Sequence, residues 1–412
     1  MAFTIRTTTG NAYTYLRHSN EIAPGAVHEL LHPVAFELRK RITTMPSLSA
    51  FTLGVTTQCN LRCTYCCYSG QYRNTRSHGS QSMKSDDIGP ILDFIADNAN
   101  ALPITIGFYG GECLIELPFI KDCISHAHER WPGNVKFEIS TNGLLLSPEV
   151  IEWAATSGDV ALFISLDGPR CINDRYRRTA GGHGSFNAIH RALQYLHSRH
   201  SDYFDNNVHL MMTVADITML PEIARQWSDD ALLAQKLPLR ISTVAPNYGA
   251  GVKRTNFDDE VARYMAILDA YDQHRDWRLL SVFFERLLAE WTTRPLFELD
   301  APLEFPTCMP HNTKLYIDTD LAIGLCEKMP DTYRIGNVAN GIDWNAADKM
   351  AAALSSIIER RCASCPVARL CSVCPQLLDL NESEFDTFCH NQKVMQRTKL
   401  LLFCELAERD MI

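Results

Sequence analysis

Cys59-Asn60-Leu61-Arg62-Cys63-Thr64-Tyr65-Cys66 holds three cysteines in a C-x3-C-x2-C spacing, directly after the apolar run from Phe51 to Val55. The pattern predicts a strand that feeds a short loop and brings three thiolates within reach of one metal centre. A 4Fe–4S cluster normally takes four cysteines. With three, one iron keeps an open position, which binds substrate or cofactor. A structural zinc site is the alternative, but the uneven spacing and the missing fourth local ligand count against it.

The composition is that of a globular chain. Its 412 residues are enough for more than one domain with a real core. A hydrophobic content of 46% and a charged content of 21% are ordinary for such proteins. The net charge of −9 does not suggest a nucleic-acid partner. The N-terminus lacks the apolar core of a signal peptide and no apolar run reaches roughly 18 residues, so we expect a cytoplasmic protein without a membrane partner.

The fifteen cysteines fall into two groups, one near residue 60 and one from Cys308 to Cys389, and none lies between Cys171 and Cys308. In a chain without a secretion signal, such groups indicate metal binding or catalysis more than disulfides. We therefore expect two metal-bearing regions. Cys113, Cys123, Cys171 and Cys404 lie outside both patterns and are expected to be ordinary buried thiols.

Strand and helix signals alternate from residue 52 to about 244. Amphipathic segments, such as the one that begins at Ser147-Pro148-Glu149, separate the strands. Six β/α repeats imply parallel strands with both faces covered, in either a doubly wound sheet or a barrel. The strands are predicted at 51–57, 104–109, 135–140, 160–166, 208–214 and 239–244.

Polar motifs follow three of these strands. Gly110-Gly111-Glu112 follows the second, Ser140-Thr141-Asn142-Gly143 ends the third, and Ser165-Leu166-Asp167-Gly168-Pro169 ends the fourth, with Asn173-Asp174-Arg175-Tyr176-Arg177 just beyond. Each alone is also expected of a strand-end turn with polar caps. Their order, each at the carboxyl end of a strand where α/β sheets bind ligands, counts against that interpretation.

Together with the three-cysteine loop, these motifs resemble those of the radical S-adenosylmethionine (SAM) enzymes. The resemblance implies a partial (β/α)6 TIM-like barrel. It also implies that SAM chelates the fourth iron and is cleaved reductively to a 5′-deoxyadenosyl radical, which abstracts hydrogen from substrate. Cys113 replaces the usual proline after Glu112, and Asn173 stands where histidine is common. The residues that would contact SAM are Tyr65, Gly110, Gly111, Glu112, Ser140, Asn142, Ser165 and Arg177.

The C-terminal cysteines resemble a SPASM domain, which holds two auxiliary 4Fe–4S clusters. The resemblance assigns one cluster to Cys362, Cys365, Cys371 and Cys389, and the other to Cys308, Cys326 and Cys374. With Cys59, Cys63 and Cys66 this makes three 4Fe–4S clusters. Some relatives have a further cysteine at the position of Lys314, so the second auxiliary cluster has an open iron or takes an unusual ligand such as His311. A pair of zinc sites is the alternative.

The resemblance also divides the chain. We expect an N-terminal extension at 1–50, partly helical over 22–42, and a radical SAM barrel at 51–250. A helical linker at 251–306, a SPASM domain at 307–392 and a C-terminal helix at 393–412 complete the chain. Asp318-Thr319-Asp320-Leu321 is predicted to turn a β-hairpin.

The resemblance implies an enzyme that modifies a ribosomally made precursor peptide, forming a thioether or carbon–carbon crosslink. Glu327 stands where sulfatase-maturing relatives have an aspartate base, and a solvated hairpin charge is its alternative role. The expected partners are the peptide, a low-potential electron donor such as flavodoxin or ferredoxin, and a separate peptide-recognition protein. Oxidation of Cys or Ser to formylglycine is the alternative function, and a non-catalytic iron–sulfur electron carrier is a third.

Overall fold

The computed structural model describes residues 3–28, 33–34, 47–72, 76–244, 252–298, 301–303, 313–328, 331–371 and 373–412. The strands are β1 Phe3–Arg6, β2 Ala12–Leu16, β3 Glu21–Pro24, β4 Ala50–Thr56, β5 Ile104–Gly110, β6 Val135–Thr141, β7 Val160–Ser165, β8 Val208–Val214, β9 Pro238–Thr243, β10 Lys314–Ile317, β11 Ile323–Gly324, β12 Gly336–Asn337 and β13 Gly341–Ile342. The helices are α1 Ile88–Asn98, α2 Leu117–Arg130, α3 Pro148–Ser157, α4 Arg170–Tyr176, α5 Phe186–Arg199, α6 Ser201–Asn207, α7 Leu220–Asp229, α8 Phe257–Gln273, α9 Arg278–Thr292, α10 Trp344–Cys362 and α11 Glu382–Glu408.

An eight-stranded sheet in the order β11-β10-β4-β5-β6-β7-β8-β9 forms the barrel wall. Strands β4 to β9 are parallel to their neighbours, as predicted from their alternation with helices. Along β5, Ile104 and Ile106 are buried away from the interior cavity, whereas Gly107, Phe108 and Tyr109 line it. The predicted partial barrel is confirmed.

The C-terminal region supplies a strand to the barrel sheet. Strand β10 pairs in parallel with β4, so that Leu315 lies opposite Phe51. The predicted hairpin is present, because β11 pairs antiparallel with β10. Leu321 in its turn has a φ of 62°, a conformation that costs a non-glycine residue energy. The barrel sheet thus includes residues from the segment 307–392, which the sequence had suggested was a separate domain.

The N-terminal segment forms an antiparallel sheet of β1, β2 and β3. Ile22 therefore lies in a strand, so the helix predicted over 22–42 is wrong at its start, where pairing with β2 overrides the apolar spacing. Most of the remainder of that segment lies outside the described residues. The sheet rests on α11, where the Tyr13 hydroxyl donates to Glu408 at 2.8 Å and Thr8 Oγ1 donates to Glu405 at 2.9 Å.

The helical linker contains α8 and α9, as predicted for 251–306. The C-terminal helix begins earlier than the predicted 393, because Asn381 caps it and Glu384 bonds back to the Asn381 amide in a capping box. Helix α10 was not predicted. None of the helices among the described residues is long and apolar enough to cross a bilayer.

Candidate active site

The cysteine loop after β4 is bonded along its length to the segment that follows α4. The Arg62 amide donates to the Arg178 carbonyl at 2.7 Å, and the Thr64 amide donates to the Tyr176 carbonyl at 3.0 Å. Between them the side chain of Leu61 is buried. These contacts fix the loop at the carboxyl end of the barrel, the end where parallel α/β sheets bind ligands.

The three thiols of this loop line one cavity. Burial raises the pKa of Cys59, Cys63 and Cys66, and the charge of one other thiol of the set adds to each shift. The pKa of Cys66 is raised to about 11. A bound cation would offset that penalty, and soft thiolates are the donors that iron–sulfur clusters take. The residues therefore fit the iron–sulfur group. Within the described residues no three Cys, His, Asp or Glu side chains already stand in a metal-binding arrangement.

Gly110 and Gly111 are required by the approach of the cysteine loop. A Cβ on Gly110, whose φ is 151°, would collide with the Thr56 carbonyl oxygen, and one on Gly111 would collide with that of Gln58. The sequence had suggested that these glycines make room for a ligand. In the structure the close neighbour is the protein's own backbone, and the Gly111 amide donates to the Thr56 carbonyl at 2.9 Å.

Glu112 is a buried carboxylate that joins the ends of β5 and β6. Its Oε2 accepts from the Asn142 amide at 2.7 Å, and its Oε1 accepts from the Leu114 amide at 3.1 Å and the Thr141 hydroxyl at 2.7 Å. Burial raises its pKa, and these donors oppose that shift. A carboxylate has about four acceptor positions. One on Oε2 is therefore still available for the ammonium group that the sequence assigned to it.

Asn142 connects the end of β6 to the cysteine loop. Its Nδ2 donates to Asn60 Oδ1 at 2.7 Å and lies 3.9 Å from Cys59 Sγ, while its Oδ1 accepts from the Leu144 amide at 3.0 Å. The side chain is 7% exposed. Asn142 thus lies between strand and loop and presents an N–H to the first cysteine.

Arg177 belongs to a buried group of three side chains beside Cys63. Its guanidinium donates to the Tyr65 hydroxyl at 2.9 Å, and that hydroxyl donates to Asp167. Arg177 Nη1 lies 3.9 Å from Asp167 Oδ2. Although burial opposes it, the neighbouring Tyr65 and Asp167 hold the pKa of Arg177 above its usual value. Its buried Nε has no hydrogen-bond partner among the described residues. This N–H is available to an anionic group such as the carboxylate of SAM.

The cavity has a volume of about 600 Å³ and joins the barrel to the C-terminal region. Its upper wall contains the cysteine loop and the predicted strand-end residues Ser140 and Ser165. Its interior wall includes Glu138 and Phe163 from β6 and β7. Its far wall is built by Lys314, Glu327, Lys328 and Gln376. The sites predicted for SAM and for the substrate base therefore open into one space.

Glu327 lies in this cavity as one half of an ion pair. Lys314 Nζ is 3.0 Å from Glu327 Oε2, and the Tyr68 hydroxyl donates to the Glu327 carbonyl at 3.0 Å. Although burial opposes it, Lys314 holds the pKa of Glu327 below its usual value. Sequence reasoning treated Lys314 only as the position of a missing cysteine. In the structure it keeps Glu327 ionised.

The four cysteines assigned to one auxiliary cluster are near enough to influence one another electrostatically. Burial, together with the neighbouring Cys365 and Cys389, raises the pKa of Cys362 to about 12. Burial likewise raises the pKa of Cys371, and all three partners add to the shift. The end of α10, the following loop and α11 thus bring four thiols from a 28-residue stretch into mutual electrostatic range.

The second auxiliary set is only partly visible. Cys326 is half-buried and Cys374 is exposed, whereas Cys308 and His311 lie outside the described residues. Among the thiols predicted to be ordinary and buried, Cys113, Cys123 and Cys404 are buried. Cys171 is exposed, and that part of the prediction is wrong because α4 turns it toward solvent.

Sequence reasoning assigned no role to several residues of this site. Asp167 was quoted only within a motif, and Glu138 and Tyr68 were not considered. Cys67, which follows the last cysteine of the loop, also lines the cavity. Alternation along β6 places Glu138 on the same face as Ser140, so the period of the strand was a usable signal for it. No local pattern indicated the contact of Tyr68 with Glu327.

Residues 53–225 match the family model of the radical SAM superfamily. This part of the chain is a radical SAM domain. The cysteine-type anaerobic sulfatase-maturating enzyme of Clostridium novyi (strain NT) is 30% identical over 164 residues, which cover 39% of this chain and 43% of that protein. Mycofactocin maturase MftC of Mycolicibacterium smegmatis is 32% identical over 174 residues, 42% of this chain and 40% of that protein. The alignments span less than half the length of these curated relatives.

Solved structures share the fold more widely. The structure of anSMEcpe with bound AdoMet has a TM-score of 0.61 at 17% identity and covers 89% of this chain and 96% of that chain. Streptococcus suis SuiB bound to precursor peptide SuiA has a TM-score of 0.51 at 13% identity, over 82% and 75%. The predicted resemblance to radical SAM proteins with a cysteine-rich C-terminal domain is confirmed at the level of fold.

Proposed function

We propose that the chain is a radical SAM maturase that abstracts hydrogen from a ribosomally made precursor peptide and forms a thioether or carbon–carbon crosslink. The observation that supports this proposal is the shared cavity, whose lining includes the three-cysteine loop, Arg177, Glu327 and Lys314. An electron carrier needs no such cavity. Relatives named as maturases of sulfatases and of mycofactocin support the class of substrate.

When bound, a 4Fe–4S cluster and SAM supply reductive bond cleavage and a radical able to remove hydrogen from carbon. The chain's own residues hold and orient these groups. Cys59, Cys63 and Cys66 provide thiolates, and Asn142 directs an N–H toward Cys59. Arg177 offers its unpartnered Nε to a carboxylate, and the remaining acceptor position of Glu112 suits an ammonium group.

Glu327 is proposed as the base that takes the proton released when the crosslink forms. The ion pair with Lys314 keeps it a carboxylate near neutral pH, which is the protonation state that a base requires. The solvated hairpin charge considered as its alternative fits less well, because the Glu327 side chain is only 16% exposed.

The proposal includes three 4Fe–4S clusters and a low-potential electron donor, flavodoxin or ferredoxin. A separate protein that recognises the precursor peptide is a further proposed partner. Formylglycine formation is the second candidate. It is favoured by the sulfatase-maturating relatives, and Lys314 at the position of a relative's cysteine counts against it.

Anaerobic co-expression with a precursor peptide encoded beside this gene, followed by mass spectrometry of the peptide, tests the function. A crosslink removes two hydrogens and joins two residues, whereas conversion of cysteine to formylglycine removes the sulfur. In the purified enzyme Glu327→Gln should slow crosslinking more than formation of 5′-deoxyadenosine. Crosslinking at the parental rate in that variant would exclude Glu327 as the base, and absence of SAM cleavage in the parent would exclude the proposed class.

A further inference from the structure

Helix α4 presents a surface rich in arginine on the outside of the barrel. Arg170, Arg175 and Arg178 are exposed around the exposed thiol of Cys171. With Asp174 and Gln226 these residues line a shallow surface depression, here named the α4 patch. The patch lies outside the cavity that holds the proposed catalytic residues. None of its side chains has a role in the proposed chemistry.

The α4 patch adjoins the cysteine loop directly. Arg178 accepts the backbone bond from Arg62, and Leu61 forms a β-bridge with Thr179. Arg62 itself is exposed, and its guanidinium donates to the Cys59 carbonyl at 2.6 Å. Backbone contacts thus join the segment that carries the patch to the loop that carries the three thiols.

The charge of this surface is opposite to that of the whole chain. Three of the residues that line the depression are arginines and one, Asp174, is acidic. Asp174 is 3.8 Å from Arg170 and also accepts from the Phe186 amide at 2.8 Å, and Glu222 lies beside the patch, where it accepts from Gln226. In the described part of the chain Arg175 forms no ion pair. The chain as a whole carries a net charge of −9. An acidic protein is therefore repelled by most of the molecule and attracted here.

We propose that the α4 patch docks an acidic, low-potential electron-donor protein of the flavodoxin or ferredoxin class. This rests on the proposed function, which needs a reduced cluster in the cysteine loop. One electron leaves the donor's reduced flavin or iron–sulfur centre and enters the cluster, so the donor is oxidised, the cluster is reduced and no bond or proton moves. Small interfaces are typical of such redox encounters, and electrostatic attraction raises their association rate.

The test compares Arg170→Glu/Arg175→Glu with Arg199→Glu/Arg360→Glu. The control changes charge equally at two exposed arginines remote from the patch, one at the end of α5 and one on α10. Binding of oxidised flavodoxin, followed by its flavin fluorescence, should weaken at least tenfold in the first variant and stay near parental in the control. In the parent the affinity should fall steeply as ionic strength rises.

A second readout follows bleaching of the cluster absorbance. Reduction by reduced flavodoxin should slow in the patch variant, whereas reduction by dithionite, a small reagent that needs no docking, should keep its parental rate. If dithionite drives SAM cleavage in both the parent and the patch variant, the proposed function holds independently of the docking role of the patch. Parental flavodoxin affinity in the patch variant, equal loss in the control, or salt-independent binding by the parent overturns the proposal. Weaker binding of the precursor peptide with unchanged flavodoxin binding also overturns it and assigns the patch to the peptide.

Discussion

Arg177 is held in place by Tyr65 and Asp167, and within the part of the chain that the structure describes its Nε has no acceptor. Replacing it with lysine keeps the charge but removes the second, fixed N–H. A charge-assisted hydrogen bond is worth about 1.5–3 kcal/mol. We therefore expect Arg177→Lys to weaken SAM binding about ten- to a hundredfold, measured by equilibrium dialysis with the reconstituted protein.

The matched control is Arg175→Lys, an exposed arginine two positions earlier on the same short helix. It should leave SAM affinity unchanged. If both variants bind SAM as the parent does, Arg177 is a structural partner of Asp167 and has no contact with the ligand. Iron content, measured in parallel, separates a loss of SAM binding from a loss of the cluster.

The limits of sequence reasoning are clearest at single residues. Position at a strand end was enough to place Ser140 and Ser165 on one cavity, because the ends of parallel strands meet. The hydrogen-bond partners of the site residues could not be predicted from the sequence. Glu112 satisfies the amide of Asn142, thirty positions away, and such contacts depend on how two strands are staggered.

Gly111 shows how the strand ends constrain the cysteine loop. A Cβ at this position meets the Gln58 carbonyl oxygen, which cannot move without moving Cys59. Gly111→Ala should therefore lower both the thermal unfolding temperature and the iron bound by the loop. The control is Gly89→Ala in α1, where a Cβ meets nothing within 4 Å.

The control should gain about 0.4–1 kcal/mol of stability, because alanine loses less conformational entropy on folding than glycine does. Differential scanning calorimetry and an iron assay measure both effects. A Gly111→Ala protein that melts and binds iron as the parent does would show that the loop shifts freely away from β5.

Helix α11 holds the N-terminal sheet through Glu408, which accepts from Tyr13 and from Asn11 Nδ2 at 2.9 Å. Although burial opposes it, bonds from Thr9, Asn11 and Tyr13 lower the pKa of Glu408 to about 2 from 4.5. A carboxylate with a depressed pKa adds stability that is complete above the unfolded value and is lost as pH falls through the folded value. The Glu408 contribution is thus present above about pH 4.5 and disappears toward pH 2.

Glu408→Gln should lower the unfolding temperature at about pH 6 and cost progressively less as the pH falls toward 2. Glu382→Gln is the control, since this exposed carboxylate lies at the other end of the same helix. A difference between parent and Glu408→Gln that does not change with pH would mean that the Glu408 charge does not stabilise the sheet.

Elements with a strong period were predicted well, and elements without one were missed. The six barrel strands and α3 follow from alternation, turn residues and the Ser147 cap, whose side chain accepts from the Val150 amide. Strand β10 has only four residues, and its pairing with β4 crosses more than 250 positions. Helix α10 was missed because the adjacent cysteine spacing was interpreted in terms of clusters alone.

For the whole molecule the ligand sets predict three clusters of four irons, so anaerobic reconstitution should give about 12 irons per chain. Removing Cys362, Cys365, Cys371 and Cys389 together should leave about 8, because the set they form is independent of the cysteine loop. Iron and sulfide assays measure both values. Zinc in place of iron, or loss of all iron in the quadruple variant, would contradict the three separate sets.

Strand β10 is synthesised long after β4, so the pairing between these two strands forms late. During synthesis β4 has an unpaired edge until residue 317 has left the ribosome, more than 250 residues after β4 itself. Contacts this distant in the chain form late in folding. We therefore expect the cysteine loop to acquire its final shape only near the end of translation. A chain that terminates before β10 would leave that edge open to pairing with other molecules and would tend to aggregate.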